Sequence, residues 1–518
     1  MTRHIINLLL SLAFLGGVLA HVPTAGAAGR SCESTVSIEA AADYRIAVPT
    51  VTQGLRELTP EFFGFNLEWV GFQTTFWEAA TRRVNPAVVA YLQAFPGAVY
   101  RYPGGGGANS FQWADSVGQY AMRPKRKVVS WLNPVAVNFG FDEFLDFVHS
   151  VAGKPWVVLN LYGTRAGETQ TEPLLESATA WVNYAKAKAS AGADPVLRWE
   201  LGNELDRGPT KSWSPAKYVS IAGTFGNAIN AARPSGKPVA MLQDWKAQLS
   251  RTVSGYNQDV MSGLRDVTTE YAHHLYFDAP PASREVPRRF AVVCGTLANA
   301  KKIGIANPRI WITEFGRDIP HVYDNSAGWK NSWPKTANLE AALGVADAVI
   351  LATQIPEIAG VFAHSLATTK GPWPMFHADQ SGALRPSVVF QTLRLLREDM
   401  LPVVLETQLR SNNRSGYAGG YDLRATVMTN LQRDRFALWA VNRAPQAISV
   451  EVLIPQLAAR VVEARHRYVA DANLEANNYA SAGSITVQEA KPTLAFDNSG
   501  TMHIVLPPQS VSSIGFAR

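Results

Sequence analysis

The sequence predicts an α/β protein: a (β/α)8 TIM barrel with an accessory antiparallel β-sandwich domain. Three observations carry this. From about residue 60 to 398, short apolar runs alternate with longer segments of helical spacing, the pattern of a parallel sheet wrapped by helices. Eight such runs occur there, enough to close a barrel. On either side the runs turn short and β-type, with Gly, Asn, Asp and Pro between them, as in a sandwich.

Taken in order, Met1-Thr2-Arg3-His4 is short and basic, Ile5 to Ala20 is almost wholly apolar, and Ala25-Gly26-Ala27 has cleavage-site spacing. Residues 1–27 therefore read as a signal peptide, and the chain as secreted or periplasmic. No later run is long enough to span a bilayer, so no stable membrane insertion is expected once the signal is removed. Residues 28–58 hold alternating strands that join the sandwich, 59–398 the barrel, and 399–518 the rest of the sandwich. The barrel would thus be an insertion between two sandwich halves. Its strand candidates are Phe62–Leu67, Ala98–Tyr102, Trp156–Leu161, Leu197–Asn203, Pro238–Gln243, Thr268–Tyr276, Arg309–Glu314 and Ala359–Ser365. Helical spacing fills the gaps: Phe141 to Val151, Ala-rich Ser177 to Ala191, a segment opened by Ser214-Pro215, and Leu339 to Gln354.

At 47% hydrophobic and 17% charged residues over 518 positions, a large core is available and wholesale disorder is excluded. The net charge of +6 includes one basic block, Arg123-Pro124-Lys125-Arg126-Lys127, which reads as a solvated loop. No nucleic-acid partner is expected. A mild basic excess suits an acidic polymer. No dinucleotide fingerprint or P-loop is present, which removes the open-sheet nucleotide folds; Gly104-Gly105-Gly106-Gly107 lacks the Gly-Lys-Ser/Thr that would follow. Its glycines serve a sharp turn or a close backbone approach after Pro103. Cys32 and Cys294 allow one disulfide. Oligomeric state is not readable.

The chemistry concentrates at strand ends. Leu197-Arg198-Trp199-Glu200-Leu201-Gly202-Asn203-Glu204 is an apolar strand with an amide and a carboxyl at its tip, and Arg309-Ile310-Trp311-Ile312-Thr313-Glu314 is a second. In a barrel both tips face one mouth. Two carboxyl groups around one sugar can cleave a glycosidic bond, one giving a proton and the other attacking carbon or activating water. The acid must be protonated near working pH, so burial or the other carboxylate must raise its pKa. The nucleophile needs donors, and Arg101 and Tyr276 are candidates. Asn203 is placed to bond a sugar hydroxyl. Glu200 reads as a buried structural partner of Arg198 or of a neighbouring strand. His273 and His274 have no further ligand at metal-like spacing, so no metal and no organic cofactor is expected; a hydrogen-bonding histidine beside the nucleophile fits better.

Gly202-Asn203-Glu204 and Thr313-Glu314-Phe315-Gly316 resemble the acid/base and nucleophile motifs of the clan A retaining glycoside hydrolases. Within that clan, Arg101-Tyr102-Pro103-Gly104-Gly105, with Trp113-Ala114-Asp115 and Gly118, resembles a stretch of the α-L-arabinofuranosidases. Leu506-Pro507-Pro508-Gln509-Ser510-Val511 is similar to the last sandwich strand of those enzymes and of the heparanase-like β-glucuronidases. The resemblance implies a retaining glycosidase acting on a polysaccharide or oligosaccharide, with Glu204 as acid/base and Glu314 as nucleophile. It implies sugar contacts from Asn203, Arg101, His274, Tyr276, Glu68 and Asn109. Trp373 either stacks on sugar or packs its loop. Thr313 and Phe315 depart from the arabinofuranosidase pattern, which has Asp before the nucleophile and Trp after it. That leaves a β-xylosidase-like or glucuronidase-like branch open, beside a barrel that binds carbohydrate without turning it over.

Overall fold

The computed structural model describes residues 36–38 and 44–518, apart from 69–75, 127–133, 135, 165, 208–212, 233, 244–254, 278–285, 319–332, 367–371, 380–382, 412–420 and 480–484. Residues 1–27, expected as a signal peptide, and Cys32 lie outside the described residues. Cys294 is disulfide-bonded.

Eight parallel strands close a barrel in sequential order: β1 (Phe63–Asn66), β2 (Val99–Tyr102), β3 (Lys154–Leu159), β4 (Arg198–Leu201), β5 (Lys237–Met241), β6 (Glu270–Phe277), β7 (Arg309–Arg317) and β8 (Ile358–Ala363). The strands are short and apolar because both faces are covered, one by the lumen and one by helices. Trp156, Trp311 and Phe362 fill the lumen, the Trp156 ring 5.2 Å from each of the other two. This plug closes the barrel from below, so its chemistry is confined to the mouth at the strands' C-terminal ends.

The accessory domain has two sheets. One runs Val36–Ile38, Gln408–Ser411, Tyr44–Ala47, Ile448–Leu453, Thr501–Leu506. The other includes Val461–Ala470, Ser510–Ala517, Arg435–Asn442, Leu423–Thr429, Val403–Leu405 and Gly54–Glu57. Leu405, Val427, Leu438 and Ala440 of the second sheet pack on Ile46, Val450 and Val452 of the first. Their strand neighbours Val404, Met428, Ala437 and Trp439 face the other way, into the barrel's core. A strand buried on both faces has no polar alternation, which is why these runs read as wholly apolar. Pairing is antiparallel except that Val36–Ile38 runs parallel to Gln408–Ser411 and Tyr44–Ala47 parallel to Ile448–Leu453. Those partners are hundreds of residues apart, so no tight turn dictates direction.

Helix Leu339–Thr353 lies between barrel and sandwich, with 14 of its residues buried. The stretch Pro334–Thr353 is long and apolar enough to cross a membrane, correcting the expectation that no such run follows the N-terminus. Its burial between two layers supplies the physical reason: a helix covered all round is apolar all round. The buried charge on this helix is Asp347, which accepts hydrogen bonds from Arg424 Nε (2.7 Å) and Arg443 Nη2 (3.2 Å) of the sandwich. Replacing it (Asp347→Asn) leaves two buried guanidiniums facing each other. Unfolding free energy by urea titration should fall by about 3–5 kcal/mol; a loss below about 1 kcal/mol would show that the triad does not bind the layers together.

Candidate active site

Above the aromatic plug sits Arg101 at the end of β2, fully buried. A guanidinium has five N–H donors, and here each has an acceptor. Nε and Nη2 grip Glu200 of β4 (2.7 and 2.8 Å), Nη1 reaches Asn66 of β1 (2.8 Å) and Glu314 of β7 (2.9 Å), and Nη2 also reaches Asn203 (2.7 Å). Glu200 accepts a further bond from Trp156 Nε1 (2.8 Å), so its partners are Arg101 and the plug. Arg198 pairs with Glu270 instead, at 2.7 Å.

After β4 the chain turns sharply. Gly202 has φ +84°, and a Cβ there would lie 2.6 Å from Leu205 Cδ1. Glu204 has φ +48°, a left-handed conformation that costs a non-glycine residue about 1–2 kcal/mol. Asn109 holds the turn. Its Nδ2 donates to the Asn203 carbonyl (2.5 Å), and its Oδ1 accepts from the Asn203 N–H (3.1 Å). Thus the structure turns Asn109, expected as a sugar contact, onto the backbone that aims Glu204. Asn203 Oδ1 belongs to Arg101, while its buried Nδ2 has no partner among the described residues and is available to a hydroxyl.

Glu314 receives a donor on each oxygen: Arg101 Nη1 on Oε1, and Tyr276 Oη on Oε2 at 2.8 Å. Burial favours its neutral form, but His274, His364 and Arg101 outweigh it and hold the carboxyl below the ordinary range. His274 Nδ1 sits 2.7 Å from Glu204 Oε1 and 3.5 Å from Glu314 Oε2. Burial opposes its protonation; the Glu314 and Glu204 carboxylates prevail and raise its pKa. Glu204 Oε1 also takes a close ion pair from Arg207. Burial again works upward, yet Arg207 and His274 leave the Glu204 carboxyl well below the ordinary range. The requirement for a raised acid is therefore not met in this state: Arg207 and His274 share one oxygen of Glu204.

Glu68, just beyond β1, shows the opposite shift. Burial and the Glu314 and Glu204 carboxylates push it up to about 8 against the pull of Arg101. Gly105 (φ +69°) passes so near that a Cβ would stand 2.4 Å from Glu68 Oε1, and a Cβ on Gly104 would stand 1.9 Å from Asn66 Oδ1. The glycine run is a close approach to these two side chains. Trp373 is 6% exposed, its Nε1 donates to the Arg317 carbonyl (2.6 Å), and its ring lies 4.8 Å from that of Tyr276 and 5.2 Å from that of His364. It packs the mouth wall and fixes two polar rings.

Glu204, Glu314, Asn203, Arg101, His274, Tyr276 and Glu68 thus converge on one mouth, while Asn109 and Trp373 support it from behind. Sequence reasoning missed His364, Asn66 and Arg207. Asn66 Nδ2 lies 2.7 Å from His364 Nδ1, its Oδ1 being taken by Arg101, and His364 Nε2 faces Glu68 at 3.6 Å. Both residues end apolar strands, the same signal that singled out Glu204. Arg207 carried no motif signal. Thr313 and Phe315, where the nucleophile motif departs from the arabinofuranosidase pattern, are buried, and Phe315 packs in the hydrophobic core beside Phe277, 6.5 Å between ring centres. Among the described residues, Glu204, His274 and Glu314 form a group able to offer a metal three ligand atoms within 4.8 Å of one another. Arg101 and Arg207 already neutralise those carboxylates, which works against a cation.

Residues 91–281 match the family described as "Alpha-L-arabinofuranosidase 1 domain". That span holds Arg101, Asn203, Glu204 and His274 but ends before Glu314. A probable α-L-arabinofuranosidase C from Aspergillus clavatus is 26% identical over 243 residues, 43% of this chain and 45% of that protein. An intracellular exo-α-(1→5)-L-arabinofuranosidase from Streptomyces lividans is 25% identical over 245 residues, 44% of this chain and 36% of that protein. The chain spans less than half the length of these curated relatives. The solved α-L-arabinofuranosidase of Thermotoga maritima, in its arabinose complex, shares the fold at TM-score 0.77 and 16% identity, covering 92% of this chain and all of the other. The chain resembles the clan A retaining arabinofuranosidases. One expectation is corrected here. The Streptomyces lividans relative and another from Halalkalibacterium halodurans are both named intracellular, which overturns the reading of a secreted or periplasmic protein. The apolar N-terminus that suggested it lies outside the described residues.

The Glu68 shift has a measurable sign. An unfolded glutamate ionises near 4.5, whereas this one keeps its proton to about 8. Across that window the unfolded state binds fewer protons, so stability falls as pH rises and levels off above it. Glu68→Gln should remove this fall, so that the urea midpoint of the variant gains on the wild type between those two pH values. Parallel pH profiles would refute the burial of a neutral Glu68.

Proposed function

We propose that the chain is a retaining glycoside hydrolase of α-L-arabinofuranosidase type, with Glu314 as nucleophile and Glu204 as acid/base. One observation carries this reading. A carboxylate oxygen of Glu204 and one of Glu314 lie within 4.8 Å of each other, at the tips of β4 and β7. Retaining enzymes hold their carboxyl groups about 5–5.5 Å apart, whereas inverting ones leave about 6.5–9.5 Å for a water.

In the first step Glu204 gives a proton to the leaving oxygen as the C–O bond breaks, and a Glu314 oxygen bonds to the anomeric carbon. In the second, water loses a proton to Glu204, its oxygen takes the anomeric carbon, and Glu314 leaves as carboxylate. The surroundings support this division. Glu314 is 5% exposed, and donors on both oxygens keep it ionised for attack. Glu204 is 28% exposed, towards the mouth where a leaving group would depart. Asn203 Nδ2 faces the sugar side; Arg101, expected as a sugar contact, has all its donors engaged and instead holds Asn203 and Glu314 in place. The division into residues 28–58, 59–398 and 399–518 belongs to the same proposal; the pairing of Gly54–Glu57 with Val403–Leu405 around the barrel supports it.

NMR of the first product from an aryl α-L-arabinofuranoside should show retained anomeric configuration; inversion would end the proposal. Glu204→Ala should lower kcat about 10²–10⁴-fold on poor leaving groups and recover with azide, giving a glycosyl azide of unchanged configuration. Glu314→Ala should be inactive, with no retained azide product. Binding without turnover across arabinofuranoside, xyloside, glucuronide and glucoside would point instead to a carbohydrate-binding barrel.

A further inference from the structure

The proposed acid, Glu204, is held in the wrong ionisation state for the first step, and the geometry shows which partner can be exchanged. Two side chains meet its Oε1, His274 and Arg207, while Oε2 accepts no hydrogen bond among the described residues. His274 is 5% exposed and wedged between Glu204 and Glu314. It cannot leave without uncovering two carboxylates. Arg207 is 22% exposed, comes from the turn that follows Glu204, and stands at the rim. Among the described residues, the other charged or titratable groups around Glu204 and Arg207 include Glu314 from β7, His273 and Tyr276 from β6, Arg101 from β2, Glu68 beyond β1 and His364 beyond β8. Arg101 has all five donors engaged, so Arg207 is the guanidinium at the rim beside Glu204.

Glu204 hands its proton to the leaving oxygen, so whatever flanks it lies beside the leaving group. We infer that Arg207 recognises an anionic group on the leaving-group side, a carboxylate such as a uronate within a few bonds of the scissile oxygen, and in binding it lets go of Glu204. A guanidinium and a carboxylate form a charge-assisted, two-pronged pair. A substrate carboxylate therefore competes directly for the bond that Glu204 now holds. Once Arg207 has turned to the substrate, Glu204 keeps only His274, and the nearby Glu314 carboxylate favours its protonated form. Substrates with an acidic neighbour would thus switch on their own acid catalyst. Neutral leaving groups would leave Glu204 paired and be cleaved slowly, unless the phenol is acidic enough to depart without a proton.

This inference rests on the glycosidase reading, and the test separates the two. Two aryl glycosides of one sugar are compared, with phenols of matched acidity, one neutral and one carrying a carboxylate. Wild type should favour the carboxylated glycoside by about tenfold or more in kcat/KM. Arg207→Gln should bring that ratio to about one and move the alkaline limb of kcat/KM for the neutral glycoside to higher pH. Arg207→Lys should keep part of the preference. The wild-type preference should also shrink as salt rises from about 0.05 to 0.5 M, a readout that stands even if the glutamine variant fails to fold. Turnover of the neutral glycoside with equal ratios in wild type and Arg207→Gln, or a salt-independent ratio near one in wild type, overturns the role of Arg207 while leaving the glycosidase reading intact. No turnover of either glycoside by wild type overturns both.

Discussion

Arg101 is the constraint on which the mouth depends. A guanidinium buried in a barrel lumen is tolerable only if its charge is matched and its donors are filled. The four residues that do so come from β1, β4, the turn after β4, and β7. The obligation to satisfy one cation therefore fixes the spacing of the groups that face a substrate. Glu200 takes two of the five donors, which leaves Glu314 in contact with Arg101 through a single oxygen and its other oxygen to Tyr276. Removing Glu200 would transfer that burden to Glu314, the carboxylate proposed to react.

The two carboxylates are set apart by what donates to them. Glu314 sits deep, with Arg101, Tyr276 and His274 about it, and its charge is stable without movement. Glu204 stands nearer the surface in a turn of two left-handed residues, clamped by Asn109 through the Asn203 peptide. Its direction is fixed by backbone, and its charge is paired with Arg207 and His274. On the proposed reading this contrast suits double displacement, because the acid must change protonation state twice per cycle and the nucleophile must not.

Strand tips were legible in the sequence because apolar runs ending in polar residues have a single meaning in a closed barrel. Glu204, Glu314, Arg101 and Tyr276 carry that signature, and so do Asn66 at the end of β1 and His364 just beyond β8. The true partner of Glu200 was not legible: it lies two strands away across the lumen, and alternation gives a residue's face but not what it meets there. Asn109 looked like a ligand because an amide after a glycine run offers the same chemistry to a sugar and to a peptide group. The helix Leu339–Thr353 was read as an ordinary barrel helix, since nothing local announces that a second sheet will cover its outer side. Arg207 was invisible for a simpler reason: an arginine in a polar loop is ordinary until a carboxylate is found beside it.

The central claim is that Glu314 forms a covalent bond to the sugar while Glu204 governs its release. It is tested most directly by intact-mass spectrometry of the Glu204→Ala protein mixed with a dinitrophenyl glycoside. So good a leaving group needs no acid, whereas release of the sugar from the protein still needs the missing base. The account predicts a protein heavier by one glycosyl residue, with the added mass on the peptide containing Glu314 after digestion. Hydrolysis with no adduct at any time, or an adduct on another residue, would contradict it.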